Sequence, residues 1–410
     1  MRKIARPELL GEINKMQILN LLRTNGPASR AELSRALCVS FPTISANVKS
    51  LMAAGLIVEG GEGDNELGRK SRLLQYNARR GYIIGGDIGR KSARIFLADL
   101  AGNCLHEAAI QLDEGRFTDK ILQELDKRID LMLLKEGIGV QHILTVCIGV
   151  PYRIDSTSRA NYLNIPSERA EQVRLDQYFS SKFHTSVQVE NSIYLGLLGE
   201  KTYGIGKNFH NIFYIDFGVG LGSSLMLNGQ LFCGANGAAG EIAYCIPDTQ
   251  RLRSAYNDNG LLEELIASAA KAAGLKADEN GHIQEMKPAF LRARQNDPAA
   301  IAFLDQLANF MGILLVNSVA LLNPEVVVFA GSVGIHLLER YYTTFLRMLS
   351  AHVPIVPQLL PSSLGKRGSG LGAVSEAVER LHKDYAVLEA ALHKLPPANP
   401  TLEQTERMRV

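Results

Sequence analysis

Apolar residues at the front of the chain recur with helical spacing. Ile18, Leu21 and Leu22 follow i, i+3, i+4 between about Gly11 and Thr24, and Asn25-Gly26-Pro27 stops the run, which predicts a first helix. Ser29-Arg30-Ala31-Glu32 is a capping-box pattern: the hydroxyl and the carboxylate three residues on can each satisfy a free backbone N–H, so a short second helix starts here and ends near Cys38-Val39. Ser40 caps a third helix, and Pro42 falls in its first turn, where no intrahelical bond is lost. Ile44, Val48, Leu51 and Met52 form its buried stripe, and Gly55 suits a left-handed stop. Leu56-Ile57-Val58 and Leu73-Leu74-Gln75-Tyr76 flank a glycine-rich stretch (Gly60, Gly61, Gly63, Gly68), a hairpin whose tip carries Arg69, Lys70 and Arg72.

This order, three helices and then a basic hairpin, is that of a winged helix-turn-helix, in which the third helix enters a major groove of double-stranded DNA. Beyond Ser40 at its start, that helix leaves Thr43, Ser45, Ala46, Asn47 and Lys49 for the outer face, small or polar side chains able to reach base edges or phosphates. Arg69, Lys70 and Arg72 then form a wing that meets the backbone. The competing reading is a protein-binding three-helix domain with a solvated charged loop; the helix order, short turn and basic hairpin together favour DNA.

Beyond the hairpin the period changes to two. Tyr82 to Gly89 is a short apolar strand ending in Asp87-Ile88-Gly89, followed by the alternating segment Ala93 to Leu100 and a Gly102-Asn103 turn. The plan returns 129 residues later, where Ile212 to Gly218 again runs into Asp-x-Gly at Asp216 and is followed by Ser224 to Leu227 and an Asn228-Gly229 turn. Such duplication predicts two similar lobes with a cleft between them. The "LPPANP" stretch breaks any helix near the C-terminus, so a mobile tail is expected over 383–410, after a DNA-binding domain over 1–78 and a two-lobed domain over 79–382.

Composition sharpens this division. A chain of 410 residues exceeds what one core sustains, so two or three domains are expected. The formal charge of +2 hides an asymmetry: residues 1–80 hold 13 Lys and Arg against 7 Asp and Glu, a net +6 at the end that would meet phosphates. Five widely spaced cysteines (Cys38, Cys104, Cys147, Cys233, Cys245) make no C-x-x-C pair and suggest reduced thiols. We read no apolar run of the roughly 18 residues that would cross a bilayer, and the basic N-terminus has no apolar signal core behind it; a cytoplasmic location and no membrane partner are expected.

The segment "GPASRAELSRALCVSFPTISANVKSLMAAGLIVEGGEG…GRKS" resembles the N-terminal domain of the ROK family (repressors, open reading frames and sugar kinases). The resemblance continues to about Val378. Val189-Glu190-Asn191, with Leu195, Leu198, Gly199 and Glu200, is similar to the family's E-N-D-A-N…A-L-G-E segment; "GANGAAGEI" (Gly234 to Ile242) matches G-A-x-G-x-A-G-E-x-G-H; and Asn323 to Val328 looks like the strand that feeds the adenosine motif. Leu364-Gly365 and Gly372-Ala373 fit the closing helix. The resemblance implies an α/β chain in which a winged helix-turn-helix precedes a two-lobed, actin-like (ribonuclease H-like) domain.

It also marks what is missing. In the family's kinases the Asp of E-N-D takes the proton from the attacking hydroxyl; here Ser192 stands in its place and has no accessible basic pKa. The first phosphate turn, D-I-G-G-T, reads Asp87-Ile88-Gly89-Arg90-Lys91; G-T-G becomes Gly218-Val219-Gly220, and G-G-G becomes Ala330-Gly331-Ser332. Tyr244 occupies the zinc-binding His position, and of the family's cysteine loop only Cys245 remains before Ser254. No catalytic residue, metal or cofactor is therefore expected.

What the resemblance leaves is a surface for sugar hydroxyls: Asn164 (or Asn161, which serves the same alignment), Glu190, Asn191, Gly237 and Glu241, with Tyr244 either stacking on a sugar ring or filling the space of the lost zinc loop. The bland alternative is that these groups cap helices or satisfy the cleft floor. The leading expectation is a homodimeric or homotetrameric regulator, most simply a repressor of carbohydrate genes, which binds a palindromic operator under control of a sugar or sugar phosphate. Two others stand beside it: residual sugar kinase activity, and a ligand-free dimerisation or docking platform.

Overall fold

The computed structural model describes residues 7–62, 72–89, 92–112, 119–151, 153–154, 162–163, 175–218, 220–248, 260–275 and 286–396. At the front, α1 (Pro7–Asn25), α2 (Arg30–Leu37) and α3 (Phe41–Ala53) pack around Ile18, Leu19, Leu33, Ile44, Val48 and Leu51. The capping box of α2 is formed in full: Ser29 N–H donates to Glu32 Oε2 at 2.7 Å and Glu32 N–H to Ser29 Oγ at 3.3 Å. Gly55 takes a left-handed φ of 74° after α3, as a residue without Cβ can do freely. The wing strands β2 (Ile57–Glu62) and β3 (Arg72–Tyr76) pair antiparallel, and a two-residue strand β1 (Ala28–Ser29), too short to show in any periodicity, adds to β3 in the order β1-β3-β2.

Lobe I follows. β4 (Tyr82–Ile88), β5 (Ser92–Asp99) and β6 (Cys104–Gln111) form an antiparallel meander, α4 (Asp119–Glu136) crosses over, and β7 (Ile143–Val150) joins parallel to β4. The short pair β8 (Arg153–Ile154) and β9 (Tyr162–Leu163) precedes α5 (Leu175–Phe183), and β10 (Ser186–Asn191) pairs parallel with β7. Every residue of β7 is buried, as a central parallel strand with helices on both faces requires.

After α6 (Ser192–Thr202), lobe II repeats the plan with β11 (Ile212–Phe217), β12 (Leu221–Leu227) and β13 (Gln230–Phe232), then α7 (Leu261–Ala272), α8 (Lys287–Arg294), α9 (Pro298–Leu322), β14 (Val326–Ala330), α10 (Gly331–His352) and β15 (Gln358–Pro361). The sheet orders are β6-β5-β4-β7-β10 and β13-β12-β11-β14-β15, and the matching aspartates hold matching registers, Asp87 opposite Gly149 and Asp216 opposite Ala330. Asn228 and Gly229 both take positive φ, which suits the tight turn between β12 and β13.

The chain closes with α11 (Gly368–Leu381), which returns to lobe I and lies against α6, β4 and β7, and with α12 (Tyr385–Leu392). The α6–α11 contact is made backbone to backbone: a Cβ at Gly372 would stand 1.7 Å from the Leu195 carbonyl oxygen, and one at Gly199 2.2 Å from that of Gly368. Glu200, fully buried on α6, accepts from Ser362 Oγ, Ser363 Oγ and the N–H groups of Leu364 and Ile205, which ties α6 to the loop that enters α11.

Two expectations need correction. Residues 383–396 are not a mobile tail: Asp384 caps α12, whose Tyr385, Leu388 and Leu392 are buried, and α12 lies between α1 and β7. The spacing 385, 388, 392 is itself helical; the prolines that suggested a break come after it, and 397–410 lies outside the described residues. Second, α9 is long and apolar enough to cross a bilayer by length and composition, which the reading of apolar runs missed because polar residues punctuate it. Half of its most apolar stretch is buried, with Phe303, Leu307, Met311 and Leu315 in the core of lobe II, the pattern of a core helix.

Candidate DNA interface and ligand cleft

The first turn of α3 is set by Ser40, whose Oγ accepts from Thr43 N–H and lies 2.8 Å from Thr43 Oγ1. Helical periodicity then places Thr43, Ala46 and Lys49 in solvent, with Ser45 half-buried. Asn47 is a correction: only 8% exposed, it sits within the stripe of Ile44, Val48 and Leu51, at i+3 from Ile44 and i−4 from Leu51, and its Nδ2 has no hydrogen-bond partner. It cannot reach a base from there. Phe41, 53% exposed at the start of α3, is a contact candidate that the polar pattern did not single out.

Arg72 opens β3 in solvent and pairs with Glu59 across the wing at 2.5 Å; Arg30 reaches the same carboxylate at 3.6 Å. Arg69 and Lys70 lie outside the described residues.

The two aspartates of the duplicated strands lie close enough for their charges to interact. Asp87 and Asp216 are half-buried by surface yet ringed by protein atoms, and burial pushes each carboxyl up to about 6. For Asp87, the hydrogen bond from Ser192 opposes that rise and the nearby Asp216 charge adds to it. Ser192 Oγ donates to Asp87 Oδ1 at 2.5 Å, so the hydroxyl at the position of the family's base is a donor to a carboxylate and has none of a base's chemistry.

A cavity of about 490 Å³, in the range that takes a small molecule, opens beside the N-terminus of α6. It brings together four residues predicted to meet a ligand: Glu190 and Asn191 at the end of β10, and Gly237 and Glu241 from the glycine-rich loop. Asn191 caps α6, its Oδ1 accepting from Ile193 and Tyr194 N–H at 2.8 and 3.3 Å, and the Gly237 carbonyl accepts from Tyr194 Oη at 2.9 Å. Tyr244 is half-buried in the short turn after Glu241 and does not line this cavity; Asn161 and Asn164 lie outside the described residues. The far wall was not foreseen. Glu376 and Arg380, one turn apart on α11, face the cavity, and Arg380 pairs with both Glu376 and Glu190. Their i, i+4 spacing was readable; the contact of Arg380 with Glu190, 190 residues away, was not.

The zinc that ROK proteins hold does not fit here. Tyr244 replaces the imidazole, Cys245 is the sole cysteine beside it, and among the described residues no three His, Cys, Asp or Glu side chains come together as a metal-holding group.

Comparison with known proteins agrees with this architecture. Residues 12–58 match a winged helix-turn-helix DNA-binding model, and residues 83–379 match the ROK family model. The chain is 27% identical over 386 residues to a xylose repressor of Bacillus spizizenii, covering 92% of this chain and 97% of that one. It is 22% identical over 343 residues to the DNA-binding transcriptional dual regulator NagC of Escherichia coli, covering 81% and 83%. The fold is shared with a crystal structure of a ROK family transcriptional regulator, a homologue of the E. coli MLC protein, with a TM-score of 0.71 at 21% identity, covering 94% and 99%. A family match over most of the chain, joined to a formed winged module, settles the assignment: this chain belongs to the ROK family and has the architecture of its DNA-binding regulators.

Proposed function

We propose that this protein is a transcriptional repressor of sugar utilisation that binds a palindromic operator as a homo-oligomer and answers to a neutral sugar in the cavity beside α6. The observation that carries this reading is the pairing of a formed DNA reader with a cavity whose walls include Glu190, Asn191, Gly237 and Glu241. The described lining holds four carboxylates, Asp176, Glu190, Glu241 and Glu376, against one cation, Arg380, which already serves two of them. Phosphate recognition calls for cations or converging N–H donors, so this wall favours hydroxyls over a phosphate. The xylose repressor and a further relative, an N-acetylglucosamine repressor of Escherichia coli that is 22% identical over 343 residues, supply by their names the first two sugars to try.

Phosphoryl transfer is not part of the proposal, because Ser192 is engaged as a donor to Asp87 where a base would be needed. A ligand-free docking platform is the second reading; in its favour, Asn191 caps a helix and Glu190 pairs with Arg380 without any ligand.

Thermal melting of the full chain separates the readings. At about 100 times its Kd, a sugar that binds only the folded state adds about 2.7 kcal/mol and raises Tm by a few degrees. D-xylose or N-acetylglucosamine is expected to do so and their phosphates are not. No shift with any neutral sugar favours the platform, and sugar-dependent ATP turnover overturns the assignment as a non-enzyme.

A further inference from the structure

We propose that α11 carries the state of the ligand cavity to the DNA reader, and that Arg380 is the group whose pairing a bound sugar rearranges. This rests on the reading that the cavity holds a sugar, and it adds the route by which occupancy is felt at DNA.

α11 touches both ends of the problem. On one face, Glu376 and Arg380 line the cavity, with Arg380 Nε on Glu376 and Nη2 on Glu190. A sugar hydroxyl donating to either carboxylate competes with that guanidinium, the strongest donor in the wall, for its acceptor. Beside them on the same helix, Glu379 pairs with Arg23 in the last turn of α1 at 3.2 Å. Just past the helix end, His382 meets Tyr76, the last residue of wing strand β3, at 2.7 Å. Three residues further, Tyr385 stacks under Lys15 of α1, with the ammonium 4.4 Å from the ring centroid.

The buried joint has a defined polarity. Burial pushes the His382 imidazole down to about 4, so the ring is neutral near pH 7. Its Nδ1 lies 2.8 Å from the Val378 carbonyl and must donate there, which leaves Nε2 to accept from Tyr76 Oη. A displaced helix end leaves a buried hydroxyl and a buried ring nitrogen without partners, so the joint holds one position strongly.

The helix has little room to absorb a change locally. Gly372 and Gly199 hold it backbone to backbone against α6, and a Cβ at Gly370 would stand 2.3 Å from the Phe96 ring. Nor is the reader a tethered bead. Met16, Leu22, Tyr76, Phe96, Leu371, Leu381 and Leu388 belong to one continuous apolar cluster that runs from the winged module through α11 into lobe I. Close-packed interiors of this kind pass small shifts on as rearrangements of whole elements.

Hydrogen exchange of the full-length protein tests the route in two arms. In the ligand-free arm, Arg380→Gln is expected to speed exchange in 72–76 and 15–25 by roughly fivefold or more, the scale of a typical coupling between sites. Arg128→Gln, which removes an exposed ion pair with Glu124 on α4, is expected to leave both segments unchanged. Unchanged exchange in both segments in Arg380→Gln overturns the route whatever the ligand. In the second arm, D-xylose and N-acetylglucosamine are added in turn to the parent and to the variant. The expected result is protection around 237–244 in both proteins, with a change in 72–76 and 15–25 in the parent only. The same change persisting in Arg380→Gln overturns the role of Arg380. Protection nowhere with either sugar defeats the sugar reading, while the first arm still decides the route.

Discussion

Lys49 and Thr43 stand on the side of α3 opposite its Ile44, Val48 and Leu51 stripe, exposed and outside the core. Replacing Lys49 with Ala is therefore expected to weaken DNA binding about equally for all sequences and to reduce the salt slope by about 1, whereas Thr43→Ala is expected to cost about 1 kcal/mol selectively at one base position. Fluorescence anisotropy at several salt concentrations distinguishes them, and unchanged affinity in both variants removes α3 from the interface. Near the end of β11, Asp216 holds its proton up to about 6, above the ordinary carboxyl value of 3.8. A raised folded-state value means that the stabilising contribution is complete below about pH 4 and is lost as pH rises through 6, so the ionised group is a burden at pH 8. Asp216→Asn is expected to be more stable than the parent by about 1–2 kcal/mol at pH 8, after discounting for partial exposure, and by about half as much at pH 5. Denaturant titrations at the two pH values check the sign. Side-chain chemistry of this kind is legible in part: Ser192 marks the missing base by its residue type, but the polarity of Asn47 points outward while its position in the helical repeat buries it, and geometry prevails over residue type.

Among the elements, α6 and α11 depend on each other most closely. Gly372→Ala places a methyl group against the Leu195 carbonyl and is expected to destabilise the protein by about 3 kcal/mol, with the cooperative melt retained at lower temperature; a neutral effect shows that the helices can separate without cost. Of the lobe strands, β4, β5, β11 and β12 were legible because recognisable turns bound them, whereas β7, β10 and β15 carried no such mark, and the repeat of Asp87 at Asp216 survives in structure as equal registers. α2 was legible from its capping box alone. β1 was not, since two residues carry no period, and α12 was hidden behind the prolines that follow it. The cavity was half legible: the loop from Gly234 to Ile242 announced one wall, while Glu376 and Arg380 face it only because α11 returns to lobe I, a long-range pairing that no local pattern encodes.

At the scale of the whole molecule, reader and two-lobed body share a core, and α12 is the strut between α1 and β7. Leu388→Ala, at a fully buried site on that strut, is expected to cost about 2–5 kcal/mol and to lower exchange protection in α1 while lobe II keeps its own. Loss spread evenly over both lobes shows instead that the strut serves general stability. The central claim, that a sugar in the body controls the hold on DNA, is met most directly by selecting sites for the full-length protein from random duplexes and titrating the best one with D-xylose and N-acetylglucosamine. The account expects enrichment of an inverted repeat and a change in Kd of about tenfold with at least one sugar, a coupling within the usual 1–3 kcal/mol. No enriched sequence, or a Kd indifferent to both sugars at saturation, contradicts it.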